Sequence, residues 1–122
     1  MNRKERPILL NLVNKGTSDV EKFQNEVIRP IIKMQHQLLI IIFKDYLKNR
    51  KIDFNVFSDD KKAAKIKSIL KTDTKFKTLI LGTVVGQFSV VELDTYLRQT
   101  SEYNKRINQI VSNRFIDSIS NI

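Results

Sequence analysis

The sequence predicts an all-α protein: a bundle of four or five helices centred on a long first helix that kinks at Pro30. Three observations lead to that class. Apolar residues return in steps of three and four through most of the chain, the spacing of one face of an α-helix. Serines stand where helices would start, three residues before a glutamate or directly before paired aspartates. No repeat, low-complexity tract or Gly/Ser linker divides residues 18–122, so they read as a single helical domain.

Residues 1–17 read as an N-terminal tail, flexible or docked, because Pro7 and Gly16 flank a single apolar cluster, Ile8 to Val13. Ser18-Asp19-Val20-Glu21 is a capping box that opens the first helix. Apolar residues then return at Val20, Phe23, Val27, Ile31, Met34, Leu38, Ile42 and Tyr46, which predicts one buried stripe. A helix reaching about Lys51 would be roughly 50 Å long. Pro30 lacks a backbone donor and crowds the carbonyl four residues back. A kink is therefore expected between Glu26 and Pro30, or two helices in series. Leu38 to Phe43 is apolar without interruption, and a helix apolar on all sides is covered by neighbours or by a second subunit.

Ile52 to Phe57 alternates apolar and polar residues. With no second strand nearby, it reads as an extended connection that closes one end of the bundle. Ser58 caps the second helix, Asp59 and Asp60 complement its dipole, and Ala63, Ile66, Ile69 and Leu70 face inward. Thr72-Asp73-Thr74 is a stop and restart. The third helix carries Phe76, Leu79, Ile80 and Val84, with Gly82 and Gly86 on one face, a spacing that permits close approach of another helix. Residues 78–91 are rich in β-branched side chains, so a strand stays open there as the alternative. Ser89-Val90-Val91-Glu92 is a second capping box and predicts a short helix with Val90, Leu93 and Leu97 inward. Thr100 or Ser101 restarts the chain into a last helix that buries Tyr103, Ile107, Ile110 or Val111, Phe115 and Ile119.

Composition removes many chemistries. The 122 residues include no Cys and one His, His36. Disulfides, thiolate metal centres and any site with two histidines are excluded within one chain. Neither GxGxxG nor GxxxxGK[S/T] occurs, so no glycine-rich phosphate loop can be written. No cofactor is expected. Arg3, Lys4 and Arg6 followed by Ile8-Leu9-Leu10 begin like a secretory signal, but Asn11 and Asn14 interrupt it and no small-residue cleavage site follows. The longest apolar run, Leu38 to Phe43, falls far short of the about 20 residues a membrane span needs. A soluble cytoplasmic protein without membrane association is the expectation.

The net charge is +9, and the surplus lies in the first two-thirds of the chain; residues 81–122 balance to zero. The densest basic segment holds Lys61, Lys62, Lys65, Lys67, Lys71, Lys75 and Lys77, a candidate nucleic-acid face, since phosphate contacts need only positive charge within reach. No aromatic RNA-binding motif accompanies it. Gln24, Glu26, Arg29 and Gln35 form a polar band through the Pro30 region, and Glu26, Arg29, Gln35 and His36 are a candidate pocket. His36 is the one side chain there whose ordinary titration range makes it a general base or ligand candidate. Leu39, Ile42 and Phe43 are the candidate oligomer interface.

Two stretches carry a resemblance. One is Phe23-Gln24-Asn25-Glu26 with Arg29-Pro30-Ile31-Ile32-Lys33-Met34-Gln35. The other is Ile80-Leu81-Gly82, Gly86-Gln87-Phe88-Ser89, Tyr96 and Asn104-Lys105-Arg106. Over about residues 18–118 the chain resembles a group of short helical bacterial proteins that often carry the label "glyoxalase". The resemblance implies a helical fold and carries no site residue. Glyoxalase I-type enzymes are βαβββ modules with His and Glu metal ligands, and glyoxalase II-type enzymes carry HxHxDH. A chain with one His and a helical pattern matches neither, so the label reads as a misnomer and glyoxalase activity is not supported.

The functional expectation is a non-enzymatic interaction or regulatory module acting as a homodimer, with a further protein partner also compatible. Nucleic-acid binding through residues 61–77 is the alternative, and a small-molecule enzyme using His36 the third reading.

Overall fold

The computed structural model describes residues 18–122, so the tail expectation for residues 1–17 lies outside the described residues. Among the described residues the chain is an all-α bundle without strands. Ser18 accepts a hydrogen bond from the Glu21 N–H (3.1 Å) and opens α1, Asp19–Phe23. The helical ladder then widens. Gln24–Ile28 is a π turn, in which the Arg29 N–H reaches the Gln24 carbonyl five residues back. Helix α2, Arg29–Met34, follows with Pro30 in its first turn. Gln35 (φ −91°, ψ 10°) breaks the ladder once more before α3, His36–Asn49.

The π turn and the proline belong together. In an uninterrupted α-helix the Pro30 ring would meet the Glu26 carbonyl. A wider turn just before it delivers Pro30 to a helix start, where a missing N–H costs least. The expected break at Glu26–Pro30 is therefore present, as an inserted residue. That insertion moves the buried stripe. After Phe23 the buried positions are Ile28, Pro30, Ile31, Ile32, Gln35, Leu39, Ile40, Phe43 and Leu47, and the first step is five residues long. The stripe expected through Val27, Met34, Leu38, Ile42 and Tyr46 is corrected: Leu38 is exposed and the other four are half-buried. From Met34 onward those positions run one residue out of phase with the core.

A Schellman motif ends α3. The Ile52 N–H bonds the Leu47 carbonyl (2.9 Å), the Lys51 N–H bonds that of Lys48 (3.1 Å), and Lys51 sits in the left-handed region at φ 56°. Phe54–Val56 is a 3₁₀ turn capped by Asp53, and it buries Phe54 against the end of the bundle. The closing role expected of this connection holds, in a tighter form than an extended chain.

Ser58 accepts from the Lys61 N–H (3.2 Å) at the start of α4, Asp59–Thr72. Asp73 closes α4 and also opens α5, Thr74–Val85, by accepting from the Phe76 N–H (3.1 Å). Residues 78–85 are thus helical, and the strand alternative is set aside. Ser89 and Glu92 complete a reciprocal capping box on α6, Val90–Arg98. Helix α7, Thr100–Asp117, buries Tyr103, Ile107, Val111 and Phe115 and packs against α2, α4 and α5. The Asn108 amide donates to the Leu70 carbonyl (3.0 Å), satisfying a carbonyl near the end of α4. A 3₁₀ turn, Ile119–Asn121, completes the chain.

Aromatic rings gather at two places along α7. Phe23, Phe88, Tyr96 and Tyr103 meet near its start, with centroids 4.7–6.3 Å apart. Phe43, Phe54, Phe76 and Phe115 meet near its end, where Phe43 and Phe115 stack at 4.8 Å. The first cluster corrects the reading of α6. Tyr96 takes the inward position and hydrogen-bonds Asn104, so Val90, Leu93 and Leu97 lie on the exposed side. The inward position goes to the ring that completes the aromatic cluster, and such ring pairs stabilise beyond their buried area.

Candidate functional site

The polar groove lies between α7 and the first two helices. An α-helix would place residues 24 and 29 about 140° apart. The π turn stacks them instead, so Gln24 and Arg29 share the wall that faces α7. Opposite stand Glu102, Lys105, Arg106, Gln109 and Asn113, enclosing about 360 Å³. A second cavity of about 220 Å³ continues past Arg29, Ile110 and Asn113 to Arg114, Asp117 and Ser118. The two share three lining residues and are halves of one groove.

Each arginine in the groove is held by a side-chain hydrogen bond. Arg106 donates Nε–H to Glu102 (2.9 Å) and Nη1–H to Gln24 (2.9 Å). Arg29 donates to the Asn25 amide oxygen (3.2 Å). Arg114 Nη1 lies 3.3 Å from His36 Nδ1. A guanidinium has only donors, so that contact requires Nδ1 to accept and the imidazole proton to sit on Nε2. Arg29 and Arg114 have no carboxylate at ion-pair distance among the described residues.

Of the four residues expected to form the polar pocket, the structure brings two to this groove, Arg29 as lining and His36 behind Arg114. Gln35 is corrected: it is buried on the other side, where its Nε2 donates to the Thr83 carbonyl of α5 (3.4 Å). Glu26 is exposed and lines neither half. The reason is the phase change at the π turn. Lys105, Arg106 and Arg114 were missed because residues 81–122 carry no net charge; their clustering with Gln109 and Asn113 on one face of α7 was the available signal.

The expected oligomer interface is also corrected. Leu39 and Phe43 are fully buried in the chain's own core, and only Ile42 of the three reaches the surface. The exposed apolar residues of this region are Leu38 (45% exposed), Ile41 (61%) and, on α5, Leu79 (53%). Ile41, Ile42, Phe76 and Leu79 form the apolar side of a cleft of about 470 Å³, and Asp45, Asn49, Arg50 and Lys75 its polar rim. Gly82 follows Leu79 by one turn, and a Cβ there would meet no atom within 4 Å. At the polar end Asp73 accepts from the Tyr46 hydroxyl (2.7 Å) and from Arg50 (3.0 Å). The Tyr46 hydrogen bond holds the Asp73 carboxyl below its ordinary value, with the Phe76 N–H and Arg50 acting in the same direction. Burial, then the bond to Asp73, raises Tyr46.

Lys61, Lys65, Lys67 and Lys71 are exposed on the outer half of α4. Lys62 is half-buried, 3.9 Å from Asp59, and Lys75 and Lys77 continue onto α5. A shallow apolar hollow of about 290 Å³ lies on this face between Phe57, Lys61, Ala64 and Lys65.

Among the described residues no three His, Asp or Glu side chains converge as a metal site, and no helix is long and apolar enough to cross a membrane. Comparison with protein-family models, with curated proteins and with solved structures finds no match.

Proposed function

We propose that the chain is a non-enzymatic interaction module of the cytoplasm that works by pairing with a second copy of itself. The observation that supports this is the α3–α5 face: Leu38, Ile41 and Leu79 stand about half exposed beside a cleft, with Gly82 open one turn further on. An apolar centre with a polar rim is the composition of a specific interface. Its rim carries both signs, Asp45 with Arg50 and Lys75, so two copies related by a two-fold axis can meet without like charges being forced together. Gly82 allows a helix of the second copy to approach closely.

Light scattering across a wide concentration range tests the reading. The wild type is expected to shift from monomer to dimer, and Ile41→Asp combined with Leu79→Asp to remain monomeric with unchanged far-UV dichroism. A wild type that stays monomeric at the highest concentration overturns it.

Nucleic-acid binding through the α4 lysines has one supporting observation, the exposure of Lys61, Lys65, Lys67 and Lys71 on a single helix. Catalysis at His36 has less support, because its hydrogen-bond partner is a guanidinium, which does not activate a general base.

A further inference from the structure

The groove beside the π turn has a charge pattern that the interaction reading does not use. Four cations, Arg29, Lys105, Arg106 and Arg114, face two carboxylates, Glu102 and Asp117. Glu102 is engaged by Arg106, and the guanidinia of Arg29 and Arg114 are oriented by neutral partners. Their positive charge is left for a ligand, and they are held in place before it arrives, which lowers the cost of binding.

The order of these groups along α7 limits what the ligand can be. Arg106 and Arg114 are eight residues apart, about 12 Å of helical rise, with Arg29 lining the groove between them. Gln109 and Asn113 supply amides in the interval. Glu102 precedes the cations and Asp117 follows them, so an anionic chain continuing beyond either end would meet a carboxylate. Among the described residues no aromatic ring lines the groove to stack on a nucleobase.

We propose that this groove binds a small bisphosphorylated polyol or sugar, with Lys105 and Arg106 holding one phosphoryl group, Arg29 and Arg114 the other, and Gln109 and Asn113 meeting the hydroxyls between. The π turn is the device that builds it, because it places Gln24 and Arg29 on one wall.

Titration calorimetry with full-length protein tests this, using fructose 1,6-bisphosphate, fructose 6-phosphate, pyrophosphate and a short single-stranded DNA as probes. The bisphosphate is expected to bind at least about tenfold more tightly than either the monophosphate or pyrophosphate, whose phosphoryl groups are too close together. Arg29→Gln and, separately, Arg114→Gln are expected to weaken it by at least about tenfold, while Lys65→Gln with Lys71→Gln leaves it unchanged. Two substitutions on different helices keep the test valid if one of them fails to fold. The proposal is overturned if the bisphosphate does not bind, if it binds no better than the monophosphate, if folded groove variants bind as the wild type does, or if DNA is the tighter ligand.

Discussion

Asp73 gathers several structural roles in one half-buried side chain. It caps α5, ends α4 and receives hydrogen bonds from Tyr46 and Arg50. Its carboxyl is held below the ordinary 3.8, so the unfolded chain binds that proton more tightly than the folded one. The resulting stability is present above the unfolded value and is lost as pH falls through the folded one. Urea midpoints measured from pH 2 to pH 6 are therefore expected to drop on the acid side, and Asp73→Asn to flatten that drop while lowering stability at neutral pH. Tyr46 works in the opposite direction. Its pKa is raised from 10.0, so its contribution holds below that value and is lost as pH climbs through the raised one. Lys51 is simpler. A non-glycine residue at φ 56° carries strain, and Lys51→Gly is expected to raise the unfolding free energy by about 1 kcal/mol, readable in the same denaturant titration.

The starts of α1, α4, α5 and α6 were legible because each uses a short-range side-chain cap. Ser58, Asp73 and Ser89 lie at their expected positions, and α7 buries the Tyr103–Ile107–Val111–Phe115 stripe that its spacing predicts. Helix phase was not legible once the π turn intervened. Pro30 signals an interruption, but nothing local to it says that the interruption adds one residue. Leu39 and Phe43 were consequently read as surface and Leu38 as core. Helix α6 failed for another reason: its stripe is regular, but the inward side was decided by Tyr96 and rings distant in sequence. Gly82 within α5 and Gly86 at its C-cap differ in what they require. A Cβ at Gly86 would lie 2.9 Å from the Gly82 carbonyl oxygen, whereas at Gly82 it meets open space. Gly82→Ala is expected to stabilise the chain by about 1 kcal/mol, because glycine is a poor interior helix residue. If close helix approach is what joins two copies, the same substitution weakens the dimer. Thermal unfolding at low concentration and light scattering at high concentration would then move in opposite directions.

Over the whole molecule, net charge and local charge separate. The +9 surplus lies in residues 1–80, yet three of the four groove cations come from the neutral last third. Composition cannot show this, because Gln24 and His36 meet Arg106 and Arg114 only through tertiary packing across more than seventy residues. Self-association has a thermodynamic signature at this level. A dimer links stability to concentration, so the melting temperature is expected to rise with protein concentration, and that rise to vanish in Ile41→Asp with Leu79→Asp. The exposed Val90, Val91 and Leu97 of α6 lie outside that pair of substitutions and serve as an internal control.

The π turn also has a genetic consequence. Loss of one codon between positions 24 and 28 would remove the inserted residue and bring the Pro30 ring against the carbonyl four residues back, while α2 and everything after it kept its place. The arm from Ser18 to Phe23 would turn by about 100° relative to the rest. Phe23 would leave the rings of Phe88 and Tyr103, and Gln24 would swing away from Arg106. Conservative substitutions within the turn alter one side chain each. A single-residue deletion there acts as a frameshift in three dimensions, with the reading of both core and groove changed upstream of the lesion.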